Sequence, residues 1–227
     1  MNSTQQPLWT LLNVRYKPHP WHGISPGDHV PDLVQCFIEV VPSDTVKYEI
    51  DKVSGYLRVD RPQKYSNVCP ALYGFIPQTY CGSAVAGLSE GAAESALSGD
   101  GDPLDVCVLT DRRIEHGNLI VDCIPIGGFR LIDGNEVDDK IVAVLQNDAT
   151  YGTVTDISQV PESVLDRLRH YFLTYKQAPG SVEQCCQITE TYGLHEARRV
   201  ITASLTDYRI RFGDLDAILD EALALLK

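Results

Sequence analysis

Gly99-Asp100-Gly101-Asp102-Pro103-Leu104-Asp105, running into Val106-Cys107-Val108-Leu109, is the stretch on which the reading of this chain turns. Three carboxylates within six residues are held by glycine and proline at the mouth of an apolar, β-prone run. Two such charges about 4 Å apart repel by roughly 4 kcal/mol at an effective dielectric of about 20. Hard divalent cations relieve that cost, because carboxylate oxygen is their preferred ligand. The bland alternative is a solvated acidic turn. A calcium loop of the EF-hand type fails on detail: its fifth position wants an oxygen ligand, its sixth Gly and its twelfth Glu, where this chain has Leu104, Asp105 and Asp111. An aspartyl-phosphate phosphatase would carry its D-x-D directly after a strand, whereas here the pair precedes one.

Upstream, short β-like runs are expected over 36–41, 45–51, 56–61 and 72–76. In one of them Val46, Tyr48 and Ile50 alternate with Lys47, Glu49 and Asp51, giving one apolar and one charged face. Downstream, strands are expected over 104–110, 119–126, 128–132 and 141–145, and the last third reads as helix. Val164, Leu165, Leu168, Tyr171, Phe172 and Tyr175 form a helical stripe, with Pro161 before it and Pro179-Gly180 after it. Further helices are expected over 195–208 and 215–226. Five to seven short strands followed by helices give an α+β domain built on a small barrel.

Residues 1–35 read as an irregular, proline-rich arm, whose His19, Trp21 and His22 suit packing better than a ligand site. Residues 36–212 form the main domain, with a Gly/Ala/Ser-rich flexible insertion expected at 82–99. Residues 213–227 read as a helical extension whose apolar stripe (Leu215, Ile218, Leu219, Ala222, Leu225, Leu226) suits docking either on the same chain or between subunits of a homo-oligomer, the state expected here.

At 227 residues and 44% hydrophobic content the chain can bury one substantial core. Its formal net charge of -12 argues against gripping nucleic acid or an anionic membrane, which need a cationic face. A small anionic ligand would require a few gathered basic groups, or metal ions that reverse the sign of an acidic site. No apolar run approaches the roughly 20 residues of a membrane span, and no secretory leader is recognisable, so a cytoplasmic location is expected. Seven cysteines, with no CxxC pair and with Cys185 beside Cys186, suit reduced, mostly buried thiols.

A second acidic group, Asp133, Glu136, Asp138 and Asp139, leads into Lys140 and the strand Ile141-Val142-Ala143-Val144. Alone it is a charged hairpin. Combined with the first it supplies ligands for a multi-metal site, in which ions activate water and clamp phosphoryl oxygens. Lys47, Glu49, Arg61, Tyr73, Tyr175 and Lys176 sit at matching places; each alone reads as a surface residue, but together they describe a pocket for metal-bound phosphates.

On these residues the chain resembles the family I soluble inorganic pyrophosphatases, whose signature D-x-D-P-x-D stands here as Asp100-Gly101-Asp102-Pro103-Leu104-Asp105. Ile38-Glu39, Lys47 to Lys52, Val59-Asp60-Arg61, Tyr73-Gly74, Asp133, Asp138-Asp139-Lys140 and Tyr175-Lys176 follow in the family's order, covering about 37–176. The resemblance implies a five-stranded OB-type β-barrel with flanking C-terminal helices and hydrolysis of pyrophosphate to two phosphates. It implies Asp102 as general base, Asp100, Asp105, Asp133 and Asp138 as ligands of several Mg2+ ions (with Mn2+ or Zn2+ as substitutes), and Glu39 and Glu49 as residues ordering metal-bound water. Lys47, Arg61, Tyr73, Lys140, Tyr175 and Lys176 would hold the phosphates. Cys69 and Leu72 depart from the F-Y-P-x-N-Y-G segment of many bacterial members, where Tyr and Asn stand; with Pro20-Trp21-His22-Gly23 this points to a divergent bacterial branch.

Two rivals remain at this stage. One is a non-catalytic OB-type module that binds a nucleotide or oligonucleotide, against which the missing basic surface counts. The other is an inactive relative, against which the cost of unused buried carboxylates counts.

Overall fold

The computed structural model describes residues 16–89, 97–177, 180, 186–214, 217–218, 221 and 224. Its strands are β1 (Val34–Val40), β2 (Val46–Ile50), β3 (Leu57–Pro62), β4 (Leu72–Phe75), β5 (Ser98–Gly99), β6 (Asp105–Leu109), β7 (Leu119–Asp133), β8 (Glu136–Val137), β9 (Lys140–Leu145) and β10 (Cys186–Gly193). Its helices are α1 (Ser83–Gly87), α2 (Glu162–Thr174) and α3 (Leu194–Phe212), with a 3-10 turn at Ile157–Gln159. This is a mixed α+β architecture with one large sheet.

Pairing in that sheet runs β1-β4-β6-β9-β7, and β1 also pairs with β7, so these five strands hydrogen-bond in a closed circuit. Only β6 and β9 within the circuit are parallel, with Asp105 opposite Lys140. β2 and β3 form a separate two-stranded sheet. Both faces of β9 are covered, which is why it reads as a continuous apolar run: Ile141 and Ala143 join the core cluster that includes Val200 and Ile201 of α3, while Val142 and Val144 join the one that includes Leu165 and Phe172 of α2.

Three parts of the sequence reading change. The two strands expected at 119–126 and 128–132 are one, β7, bent at a bulge between Pro125 and Gly127. β10 was not expected at all. The start of the supposed flexible insertion is the docked helix α1, with Val85 and Ala86 buried; residues 90–96 lie outside the described residues. So do most positions of the helix expected over 215–226 and residues 1–15 of the arm. Within the described part of the arm, Trp21 is buried, and it meets His22 face on at 4.6 Å and Phe212 edge on at 5.4 Å.

Candidate active site

The acidic stretch that opens β6 is shaped by its neighbours. Gly101 takes φ +77, a left-handed turn conformation. At Gly99 an added Cβ would lie 2.1 Å from the Cys81 carbonyl oxygen, so only glycine lets the two segments meet. The loop is then pinned: Gly101 N–H donates to Cys81 O (3.0 Å), Cys81 N–H to Asp102 O (2.8 Å), and Leu104 N–H to Thr79 Oγ1 (2.8 Å). Asp100 turns back to accept the Asp102 N–H at 2.9 Å. The carboxylates are therefore presented by a rigid backbone.

The parallel pairing of β6 with β9 carries the second acidic group to the same end of the sheet. Lys140 is buried at 2% exposure and its ammonium contacts both Asp105 and Asp138, with the ring of Phe172 5.7 Å away. Burial opposes its charge, but the two carboxylates overcome this and hold its pKa well above the ordinary value. Burial would also raise Asp138; the adjacent Lys140 outweighs that and leaves it below its usual value. Asp105 goes the other way, raised by burial despite Lys140, and it accepts the Tyr73 hydroxyl. Asp100 is pushed up to about 8 by burial and by the charge of Asp138. Glu39, buried on β1 and accepting the Ile50 N–H at 2.6 Å, is likewise pushed up to about 8, by burial and then by Asp105.

The remaining residues come from the β2–β3 sheet and the end of α2. Lys47 lies 3.4 Å from Asp60 and 3.9 Å from Glu49. Arg61 stands over the Tyr175 ring at 5.6 Å, and its Nη2 is buried without a partner. Lys176 contacts Asp133, and Lys52 contacts Asp102.

All thirteen site residues expected from the sequence, namely Glu39, Lys47, Glu49, Arg61, Tyr73, Asp100, Asp102, Asp105, Asp133, Asp138, Lys140, Tyr175 and Lys176, line one cavity of about 270 Å³. Nine carboxylates face five lysine and arginine side chains there, so the cavity is acidic although its cations suit an anion. Among the described residues no three His, Cys, Asp or Glu side chains already converge as a ligand cage; lysines stand between the acids. The donor set nevertheless fits hard divalent cations: it is all oxygen, preorganised, and burdened with carboxyl groups whose ionisation burial opposes.

A family model described as "Inorganic pyrophosphatase" matches residues 36–209. The chain belongs to the inorganic pyrophosphatase family. It is 50% identical over 196 residues to the inorganic pyrophosphatase of Chlamydia muridarum (strain MoPn / Nigg), a match covering 84% of this chain and 93% of the relative. The fold is similar to the crystal structure of inorganic pyrophosphatase from Thermus thermophilus (TM-score 0.68, 28% identity, 82% of this chain and 97% of that one). It is also similar to the enzyme from Helicobacter pylori (TM-score 0.66, 29% identity, 80% and 96%).

Membership leaves several residues to be placed individually. Asp139, grouped with its acidic neighbours as a candidate ligand, points away from the cavity and lies against Arg130 and Tyr192. Cys69 and Leu72, the departures from the bacterial pattern, are fully buried core residues and do not line the cavity. Burial pushes the Cys69 thiol up to about 12, so it packs as an apolar group. Lys52 and Asp60 line the cavity without having been given a role. Both stand inside stretches that carry the resemblance, and the polar face of the β2–β3 hairpin was the available signal.

Proposed function

We propose that this chain hydrolyses inorganic pyrophosphate to two phosphates in a Mg2+-dependent reaction within this cavity. What supports the reading is one observation: two acidic segments distant in sequence, and every basic and hydroxyl residue expected to hold phosphate, surround a single acidic cavity. A polyanion enters such a cavity only with cations of its own or with cations already there.

Asp100, Asp105, Asp133 and Asp138 would hold Mg2+, which lowers the pKa of a water molecule and neutralises phosphoryl charge when bound. Asp102 takes and orients the proton of the attacking water. Lys47 and Lys176 supply point charges to the phosphates, and Arg61 a planar fork whose unpartnered Nη2 is free to donate. Lys140 anchors Asp105 and Asp138 and offsets charge on the departing phosphate, the Tyr175 hydroxyl donates to a phosphoryl oxygen, and the Tyr73 hydroxyl, which donates to Asp105 here, would turn to a phosphoryl oxygen once Asp105 holds an ion. Glu39 and Glu49 accept hydrogen bonds from ordered water.

The closed five-strand circuit is read here as an OB-type barrel, and the protein as a cytoplasmic homo-oligomer that takes no nucleic acid. The nucleotide-binding module is not favoured, since membership of a hydrolase family and the carboxylate excess both count against it.

The deciding assay measures phosphate released from pyrophosphate with and without Mg2+, for wild type and Asp102→Asn. The expected outcome is strictly Mg2+-dependent release that falls at least about 100-fold in the variant while its circular dichroism is unchanged. Release without any divalent ion, or an unimpaired Asp102→Asn, would refute the assignment.

A further inference from the structure

Behind the cavity lies a buried polar cluster that the proposed mechanism does not use. Arg130 of β7 is 5% exposed and Asp139, just before β9, is 1% exposed. The guanidinium reaches Asp139 Oδ2 at 3.5 Å, Glu196 Oε1 at 3.0 Å and the Leu88 carbonyl at 3.0 Å, and it stacks on the Tyr192 ring at 5.2 Å. The Tyr192 hydroxyl donates to the same Asp139 oxygen at 3.1 Å. Arg130 Nε and Asp139 Oδ1 have no partner. A buried pair left incompletely satisfied contributes little net stability, so its effect is to be sought in geometry.

Asp139 contacts Arg130 and Tyr192, and Ile141 joins the core on the α3 side, whereas Asp138 and Lys140 line the cavity, so side chains alternate between the two sides from Asp138 into β9. The backbone between Asp138 and Lys140 is clamped: Asp138 N–H donates to Leu131 O at 2.9 Å, and Lys140 pairs with Phe129. A tether on Asp139 therefore sets the rotation of the segment that aims both neighbours.

We propose that Asp139, held by Arg130 and Tyr192, is a positioning residue for the site, fixing the orientation of Asp138 and Lys140 from the opposite face of the strand. This rests on the reading that Asp138 and Lys140 serve the cavity. Groups that orient ligands from behind typically change metal affinity or activity by about 10–100-fold when removed.

The test measures Mg2+ binding to substrate-free protein by titration calorimetry, together with kcat and KM for pyrophosphate at graded Mg2+, in Tyr192→Phe and Asp139→Asn. Tyr192→Phe removes one hydroxyl and leaves the ring packed, so it reports even where Asp139→Asn folds poorly. Both are expected to weaken Mg2+ binding and raise the half-saturating Mg2+ about tenfold, with KM at saturating Mg2+ near wild type. Ile201→Val, which trims the same core cluster away from the cavity, is expected to bind Mg2+ as wild type does. Wild-type Mg2+ binding in folded Tyr192→Phe and Asp139→Asn, beside a loss in Asp138→Asn, would overturn this inference alone. Undiminished binding in Asp138→Asn would overturn the reading beneath it.

Discussion

Asp207 belongs to α3, yet its carboxylate accepts the backbone N–H groups of Gly82, Ala84 and Val85, each at 3.0 Å, and the residue is only 4% exposed. It caps α1, a helix of five residues that is far too short to persist alone. Hydrogen bonds to a charged acceptor contribute roughly 1.5–3 kcal/mol each, but three on one carboxylate do not add fully. Gly82 and Ala84 are half-buried and regain water on loss of the acid, whereas the Val85 N–H is left buried and unpaired. The expected cost of Asp207→Ala is therefore about 3 kcal/mol, set mostly by that orphaned donor. In a chain of this length it corresponds to a fall in Tm of roughly 6–12 °C. Asp207→Asn keeps one acceptor oxygen and should lose about half as much. Equilibrium urea unfolding followed by circular dichroism, with linear extrapolation, measures all three proteins. An Asp207→Ala stability within about 0.5 kcal/mol of wild type at unchanged slope would refute the capping argument.

Gly99→Ala forces a methyl group onto the Cys81 carbonyl and should displace the acidic loop, costing about 1–3 kcal/mol of stability and lowering phosphate release at least about tenfold; urea titration and the release assay check both. Arg61→Lys keeps the charge but loses the fork, so KM for pyrophosphate should rise about tenfold, more than kcat falls, in steady-state kinetics. Burial, and after it the charge of His19, hold His22 down at about 4, against an unperturbed value of 6.5. The unfolded chain thus protonates first, and stability is complete above about pH 6.5 and declines as pH falls toward about 4. Allowing for the half-exposed ring, the loss by pH 5 is roughly 1 kcal/mol, and His22→Asn should flatten that slope in unfolding curves recorded between about pH 5 and 7.

The first acidic group was legible because its chemistry is local in sequence: an Asp-rich turn before an apolar strand states its own electrostatic problem, whereas the positions from Glu39 to Lys176 that join it in one cavity were signalled by the resemblance alone. The α2 stripe was legible for a similar reason, since its period needs no partner to be seen. What escaped depends on distant residues. Gly127 read as a break between two strands, but it lies at the bulge where β7 bends, and a Cβ there would strike the Tyr192 carbonyl at 2.4 Å, as one on Gly128 would strike the Tyr192 ring at 2.5 Å. β10 has a bulge between Ile188 and Glu190 that disrupts its alternation, and most of its side chains are exposed or half-buried, so its hydrophobic signal is faint. α1 looked like loose Gly/Ala/Ser chain because the group that caps it, Asp207, lies more than a hundred positions later. Asp139 looked like one acid among four, and only strand parity separates it from its neighbours.

The side-by-side, same-direction run of β6 and β9 has a consequence for how activity arises. Strands aligned this way cannot be joined by a tight turn, and here the whole of β7 intervenes and must zip onto β9 as well. Half of the acidic mouth therefore has no counterpart until those long-range pairings exist, a late and slow event in chain collapse. During refolding from urea, phosphate release should lag behind the return of secondary structure, making turnover itself the reporter of when the circuit shuts.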